Sequence, residues 1–200
     1  MYCEGILPDI ITFVYALKSC GSLGATKRGR KLHAELERQG LLDRELVIGN
    51  TLIQMYADCD SLAIAQQVFD KLSSRNAVSW NVLIGGYAEH GHGEEALMCF
   101  EEMQIEGVSP SPFTFICSLK ACASTGLTEW GRELHSKIER QGLFDGDIVV
   151  GNSLVTMYAK CGFLERARHV FANLGCDFME CLNDRLCRTL RLNILKWFSR

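Results

Sequence analysis

Residues 29–41 read GRKLHAELERQGL and residues 47–59 read VIGNTLIQMYADC; residues 131–143 read GRELHSKIERQGL and residues 149–161 read VVGNSLVTMYAKC. The second pair is the first displaced by 102 positions. The correspondence extends outward, with MYCEGILPDIITFVYALKSC at 1–20 lying on MQIEGVSPSPFTFICSLKAC at 103–122. Across residues 1–72 against 103–174, 35 of 72 positions are identical without a gap. Self-similarity of this strength is the signature of a repeat architecture, and it decides the fold before any local propensity is considered.

A period of 102 is longer than one supersecondary unit, so it must contain smaller units of the 20–50 residue class. It divides into residues 10–45, 46–76 and 77–111, after which 112–147 and 148–178 repeat the first two. Residues 1–9 match the end of a further, truncated unit, and residues 179–200 form a divergent tail. Each unit reads as a helical hairpin. In the third, Leu83, Ile84, Tyr87 and Ala88 make one apolar face and Ala96, Leu97, Phe100 and Met103 another, at helical spacings of three and four. His90-Gly91-His92-Gly93 separates the two helices, and Pro110 and Pro112 mark the passage to the next unit. In the second unit Leu52, Met55 and Tyr56 precede a turn at 59–61, where Asp60 or Ser61 is placed to cap the helix carrying Leu62, Ala65, Val68, Phe69 and Leu72. One hairpin cannot bury both its faces. Stacked hairpins share a continuous core and coil into a superhelix, whose inner wall is expected to be built by the first helix of each pair.

Composition excludes several classes. No apolar run approaches the roughly 18 residues of a membrane span, and the first thirty residues, with Glu4 and Asp9, resemble neither a signal nor a transit peptide. The net charge of −3 and pI near 6.0 lie far from the basic balance of many nucleic-acid binders. A local groove can nonetheless differ in sign from the whole surface. The ten cysteines give no C-x-x-C pair. Cys20 and Cys122, and Cys59 and Cys161, recur at equivalent repeat positions, as reduced thiols used for helix packing do. His33-Ala34-Glu35 matches half of a zinc-deaminase signature, but its repeat copy is His135-Ser136-Lys137 and no P-C-x-x-C follows. His90 and His92 lack further ligands, and no phosphate-binding G-x-x-x-x-G-K-[ST] occurs. Neither a catalytic centre nor a cofactor or metal site is expected. Lys27, Arg28, Arg30 and Lys31 read as a solvated helix face.

The third unit, AVSWNVLIGGYAEHGHGEEALMCFEEMQIEGVSPS, resembles the standard pentatricopeptide repeat motif, through the Trp80-Asn81 pair and the closing Gly107-Val108-Ser109-Pro110. The other units are similar to the family's long and short variants. Their order resembles the plant subclass in which standard, long and short motifs alternate. The resemblance implies a right-handed superhelical all-α solenoid of helix-turn-helix repeats that binds single-stranded RNA, not DNA, reading one base per repeat with two or three side chains. Carried over position by position, the second unit offers Asn50, Asn76 and Val47, and the third Asn81, Ser111 and Val78. Both sets suit pyrimidines by the family's pattern, cytosine before uracil. The last unit offers Asn152 and Val149, but its closing position is Phe178, which leaves its base undetermined. The long units offer Val14 with Glu45 and Ile116 with Asp147. An apolar residue at the reading position cannot hydrogen-bond a base, so these units are expected to act as spacers.

A single Asn near a helix start is ordinarily a capping or packing residue. Its recurrence at Asn50, Asn81 and Asn152, in register with a motif, favours base reading. The resemblance further implies an adaptor in organelle RNA editing (C-to-U) or processing, in mitochondrion or chloroplast, with a separate enzyme in trans. The alternative is a protein-binding scaffold of tetratricopeptide type, which the acidic pI favours but whose W-x2-L-G-x2-Y signature is lacking. Because Met1 falls where Met103 falls, mid-helix, the chain is expected to be a fragment or a late start, and the tail after Leu174 is expected to be a helical cap.

Overall fold

The computed structural model describes residues 9–42, 44–143 and 147–174. Among them lie ten helices and no strand. They are α1 (Ile10–Ser22), α2 (Thr26–Arg38), α3 (Leu46–Asp58), α4 (Leu62–Lys71), α5 (Ala77–Glu89), α6 (Gly93–Ile105), α7 (Pro112–Thr125), α8 (Thr128–Arg140), α9 (Ile148–Lys160) and α10 (Leu164–Asn173). The truncated unit at the start and the tail expected to cap the end lie outside the described residues, as does Phe178.

Polar side chains start most of the first helices of the pairs. Asp9 accepts the Thr12 N–H at 2.8 Å for α1, and Asp147 accepts the Val149 N–H at 2.8 Å for α9. Asn76 and Ser111 complete reciprocal capping boxes with Ser79 and Thr114 at the starts of α5 and α7. Each box satisfies backbone donors that a helix start leaves open, and Pro112 occupies a first position where its missing N–H costs nothing. The cap expected from Asp60 or Ser61 for α4 does not form. Ser61 stands at the cap position, but its hydroxyl donates to the Cys59 carbonyl at 3.3 Å. Asp60 instead takes a left-handed φ of 54° and closes α3, the role that Gly162, at φ 84°, fills in the equivalent turn. The turn is too short for one residue to end a helix and for the same side chain to cap the next.

The first helices form a continuous layer, with α1 on α3, α3 on α5, α5 on α7 and α7 on α9. Each second helix packs on the first helix of its own pair and of the following pair, while none packs closely on another second helix among the described residues. A layer whose members touch and a layer whose members splay make a curve with the touching layer inside. The close approach is visible at Gly86 of α5, where an added Cβ would stand 2.9 Å from Cβ of Ala57 in α3. Trp80 of α5 is fully buried against Phe69 of α4, with ring centroids 4.6 Å apart and the planes crossed at 65°. That places an aromatic edge-to-face contact at the joint between two units. Nearly all the apolar residues of the two hairpin faces read from the sequence are buried; Tyr87 remains half-exposed.

The cysteines among the described residues, Cys20, Cys59, Cys99, Cys117, Cys122 and Cys161, are free thiols. Cys122 and Cys99 are buried, and burial pushes both thiols up to about 12, so they are neutral packing groups at neutral pH. Cys59 and Cys161 each donate to the carbonyl of the preceding unit's cysteine, Cys20 and Cys122, at 3.7 Å. Equivalent joints also carry a His–Tyr pair. His33 Nδ1 lies 3.0 Å from the Tyr56 hydroxyl, and His135 Nδ1 lies 3.0 Å from that of Tyr158. Lys27, Arg28, Arg30 and Lys31 lie exposed on α2. Among the described residues no helix is long and apolar enough to cross a membrane.

Burial lowers the pKa of His33 and His135, against the raising effect of Glu37 and Glu139. The folded chain therefore favours neutral imidazole while the unfolded chain binds the proton more readily. The stability from these joints is full above the ordinary histidine pKa of about 6.5 and is lost as pH falls below it toward the depressed folded values. The thermal midpoint should fall between about pH 7.5 and 5.5, and a His33→Gln/His135→Gln double variant should lose most of that dependence. Gly86→Ala tests the helix approach. In an open helix this change gains about 1 kcal/mol; here overpacking against Ala57 should reverse the sign and destabilise by about 1–3 kcal/mol in denaturant titration.

Candidate nucleic-acid interface

The inner layer presents the same register on each first helix. Counting from the helix start, the second residues are Ile11, Val47, Val78, Phe113 and Val149, with exposures of 63, 59, 54, 57 and 52%. Five large apolar side chains left in solvent at one repeated position form a row along the layer, whereas scattered exposed apolar residues need no explanation. Three of them, Val47, Val78 and Val149, are legible as flanking residues from the motif alone. Ile11 and Phe113 were missed, although the register alone would have found them.

The fifth residues lie one helical turn further on. Asn81 and Asn152 are half-buried, and Asn50 is buried at 9% exposure. The Asn50 Oδ1 is enclosed and has no hydrogen-bond partner among the described residues. An unsatisfied buried amide oxygen is costly and calls for a ligand or water. Asn81 is differently placed. Its Nδ2 donates to the Ser111 hydroxyl at 3.2 Å, and its Oδ1 accepts from the Thr114 hydroxyl at 2.5 Å. Val14 and Ile116 fill the fifth position of the long units and offer no polar atom.

Three of the residues that close a unit, Asn76, Ser111 and Asp147, have a second task as helix caps. Asn76 Oδ1 accepts the backbone N–H groups of Val78 and Ser79, each at 3.0 Å. Ser111 Oγ accepts that of Thr114 at 3.2 Å. Polarity at these positions suits the cap that the next helix needs, and Ser111 also meets the fifth residue of the unit it closes, Asn81. For Asn76 the cap engages the carbonyl oxygen and leaves the amide hydrogens for another acceptor. For Asp147 the cap is a carboxylate, which accepts from the Val149 and Val150 N–H groups.

At the ninth position of the first helices, charge comes from the long units. Lys18 and Lys120 are exposed four residues after Val14 and Ile116, on the same helical face. Lys120 Nζ lies 3.1 Å from Glu89 of the neighbouring first helix. Among the described residues no group of three or more His, Cys, Asp or Glu side chains is placed to hold a metal ion. The arrangement supplies flat apolar contacts, amides and hydroxyls at a fixed spacing, and cations, but no nucleophile paired with a base.

Comparison with known proteins agrees with the geometry. A model described as the PPR repeat family matches residues 75–124, and one described as PPR repeat matches residues 152–174. A chloroplastic pentatricopeptide repeat-containing protein of Arabidopsis thaliana is 38% identical over 169 residues, covering 84% of this chain and 27% of its own length. A second chloroplastic protein of that description and organism is 40% identical over 166 residues, covering 82% of this chain and 31% of its own. Among solved structures, the maize pentatricopeptide repeat protein PPR10 superposes with a TM-score of 0.68 at 22% identity, over 97% of this chain and 26% of its own. PPR10 in complex with an 18-nucleotide psaJ RNA element gives 0.70 at 24% identity, over 86% of this chain and 26% of its own. The chain thus spans about a quarter to a third of the length of these relatives. Through its repeats, the chain belongs to the pentatricopeptide repeat family.

Proposed function

We propose that the chain binds single-stranded RNA with sequence selectivity and carries no catalytic centre of its own. The observation that carries this is the coincidence of two rows on one layer: an exposed apolar side chain at the second position of every first helix, and an amide at the fifth position in three of them. Apolar side chains flank the faces of unstacked bases, and amides and hydroxyls meet their edges. The structural neighbour solved with bound RNA supports the same ligand class.

Asn50, Asn76 and Val47 form one reading set and Asn81, Ser111 and Val78 another, both for pyrimidines, in the units 46–76 and 77–111. Asn152 and Val149 begin a third whose base is undetermined. The long units at 10–45 and 112–147 act as spacers in base reading, and their Lys18 and Lys120 neutralise phosphates. The order of long, short and standard units supports membership of the alternating plant subclass. Its role there is that of an adaptor in C-to-U editing or processing of organelle RNA, with the chemistry supplied by an enzyme in trans. The chloroplastic relatives support the organelle.

Asn81→Thr should move the preference at one base from pyrimidine toward purine, by the family's trend that a hydroxyl here favours purines. The check is binding to short oligocytidine RNA and its variants with one base changed to U, A or G, at fixed and stated salt. An unchanged preference with intact affinity would show that Asn81 reads no base. Lys120→Gln should weaken all these oligomers alike and reduce the slope of log affinity against log salt by about 0.7. A change confined to one base would contradict the phosphate role.

A further inference from the structure

We propose that Thr114, which belongs to the unit after the one that reads the base, is a positioning residue that sets which face of the Asn81 amide meets the RNA. The inference rests on the base-reading role of Asn81 given above and deepens it.

Thr114 is fully buried at the third position of α7. It cannot touch a base itself. Its hydroxyl accepts the Ser111 N–H at 2.9 Å and lies 2.5 Å from Asn81 Oδ1 and 2.9 Å from Ser111 Oγ. Because the hydroxyl already accepts a backbone donor, its own hydrogen is available to the Asn81 carbonyl. Asn81 Nδ2 donates in turn to Ser111 Oγ at 3.2 Å, which closes a three-membered ring of polar groups. The proton inventory of that ring is definite. With the Thr114 hydrogen on Asn81, the Ser111 hydroxyl donates to Thr114 Oγ1 at 2.9 Å, and one Nδ2–H of Asn81 remains to be offered outward. An Asn amide rotated by half a turn would offer its carbonyl instead, and would then select a base edge with a donor. The Thr114 hydroxyl opposes that rotation, since its 2.5 Å approach to Asn81 Oδ1 suits an O–H···O bond and is too short for the amide N–H that a flip would put there.

Residue types along the chain co-vary with the fifth position. A hydroxyl stands at the third position of the following helix where the fifth residue is Asn, with Ser79 after Asn50 and Thr114 after Asn81. An apolar residue stands there where the fifth residue is apolar, with Ile48 after Val14 and Val150 after Ile116. The two amide sites also differ in a way that bears on selectivity. Ser79 turns its hydroxyl to Asn76 Oδ1 at 3.2 Å, and Asn50 Oδ1 is left without a partner. The amide of unit 46–76 is therefore not held, and that of unit 77–111 is.

The test uses the full chain and the single-base variants of oligocytidine RNA. Thr114→Val keeps the branched shape and removes the hydroxyl. It should reduce the preference at the base read by Asn81 by about fivefold, the order of one hydrogen bond to a base edge, and leave the other positions unchanged. Thr114→Ser should restore it. Equal weakening toward every oligomer would make Thr114 a cap and nothing more, and would overturn the inference. So would an unaltered preference in Thr114→Val when Asn81→Thr shifts it, whereas no shift in Asn81→Thr would remove the base-reading role itself. Should Thr114→Val not fold, the wild-type chain still decides the matter. The preference at the base facing Asn50 must be shallower than at the base facing Asn81, and an equal or steeper one refutes the amide-holding role.

Discussion

A helical hairpin with two apolar faces has no stable existence by itself, and the rest of this structure follows from how that deficit is met. Each first helix buries one side against its own partner and its flanks against the first helices before and after it. The approach is close enough that Gly86 has no room for a methyl group beside Ala57. The Trp80 ring sits edge-to-face on Phe69 across the same kind of joint. Removing a buried ring of this size costs about 3–5 kcal/mol in typical cores, a large share of a domain's net stability. Unit-to-unit contact is therefore the source of stability, and the solenoid holds together as a chain of neighbours.

That packing also explains the candidate interface. With the first helices touching, only a narrow strip of each remains on the inner surface, and helical geometry returns the same strip at positions two, five and nine. The residues there face whatever lies along the inner curve. Ile11, Val47, Val78, Phe113 and Val149 stay exposed because the buried side of each helix is already filled. Asn76, Ser111 and Asp147 answer a separate demand, the cap of the next helix, and Ser111 serves both that cap and the amide of the proposed reading site. Asn76 and Ser111 cannot be altered for recognition without touching α5 or α7. The same coupling runs through Thr114, a cap partner to Ser111 and a hydrogen-bond partner to Asn81.

Much of this was legible from residue order. The periodicity at three and four identifies faces whose apolar residues are nearly all buried, and the motif register locates Asn50, Asn81 and Asn152 on first helices. Other features were not legible. Asp60 and Ser61 both have cap chemistry, yet neither side chain caps α4, because the turn requires a left-handed residue and Asp60 takes that conformation. Equivalent Asn residues also proved unequal, with Asn81 held on both amide atoms and the Asn50 Oδ1 enclosed without a partner.

The sequence by itself determined the repeat, the helix pairs and the register of the inner strip, because these depend on spacing along one chain and on apolar side chains that must leave water. Only the tertiary structure decided which polar atoms meet across a joint between units. Hydrogen bonds require donor and acceptor within about 3 Å and in line, and Asn81 and Thr114 are 33 residues apart. The Thr114 hydroxyl meets both its own cap, Ser111, at 2.9 Å and the amide of the preceding unit at 2.5 Å, whereas the equivalent Ser79 hydroxyl meets its own cap, Asn76, at 3.2 Å.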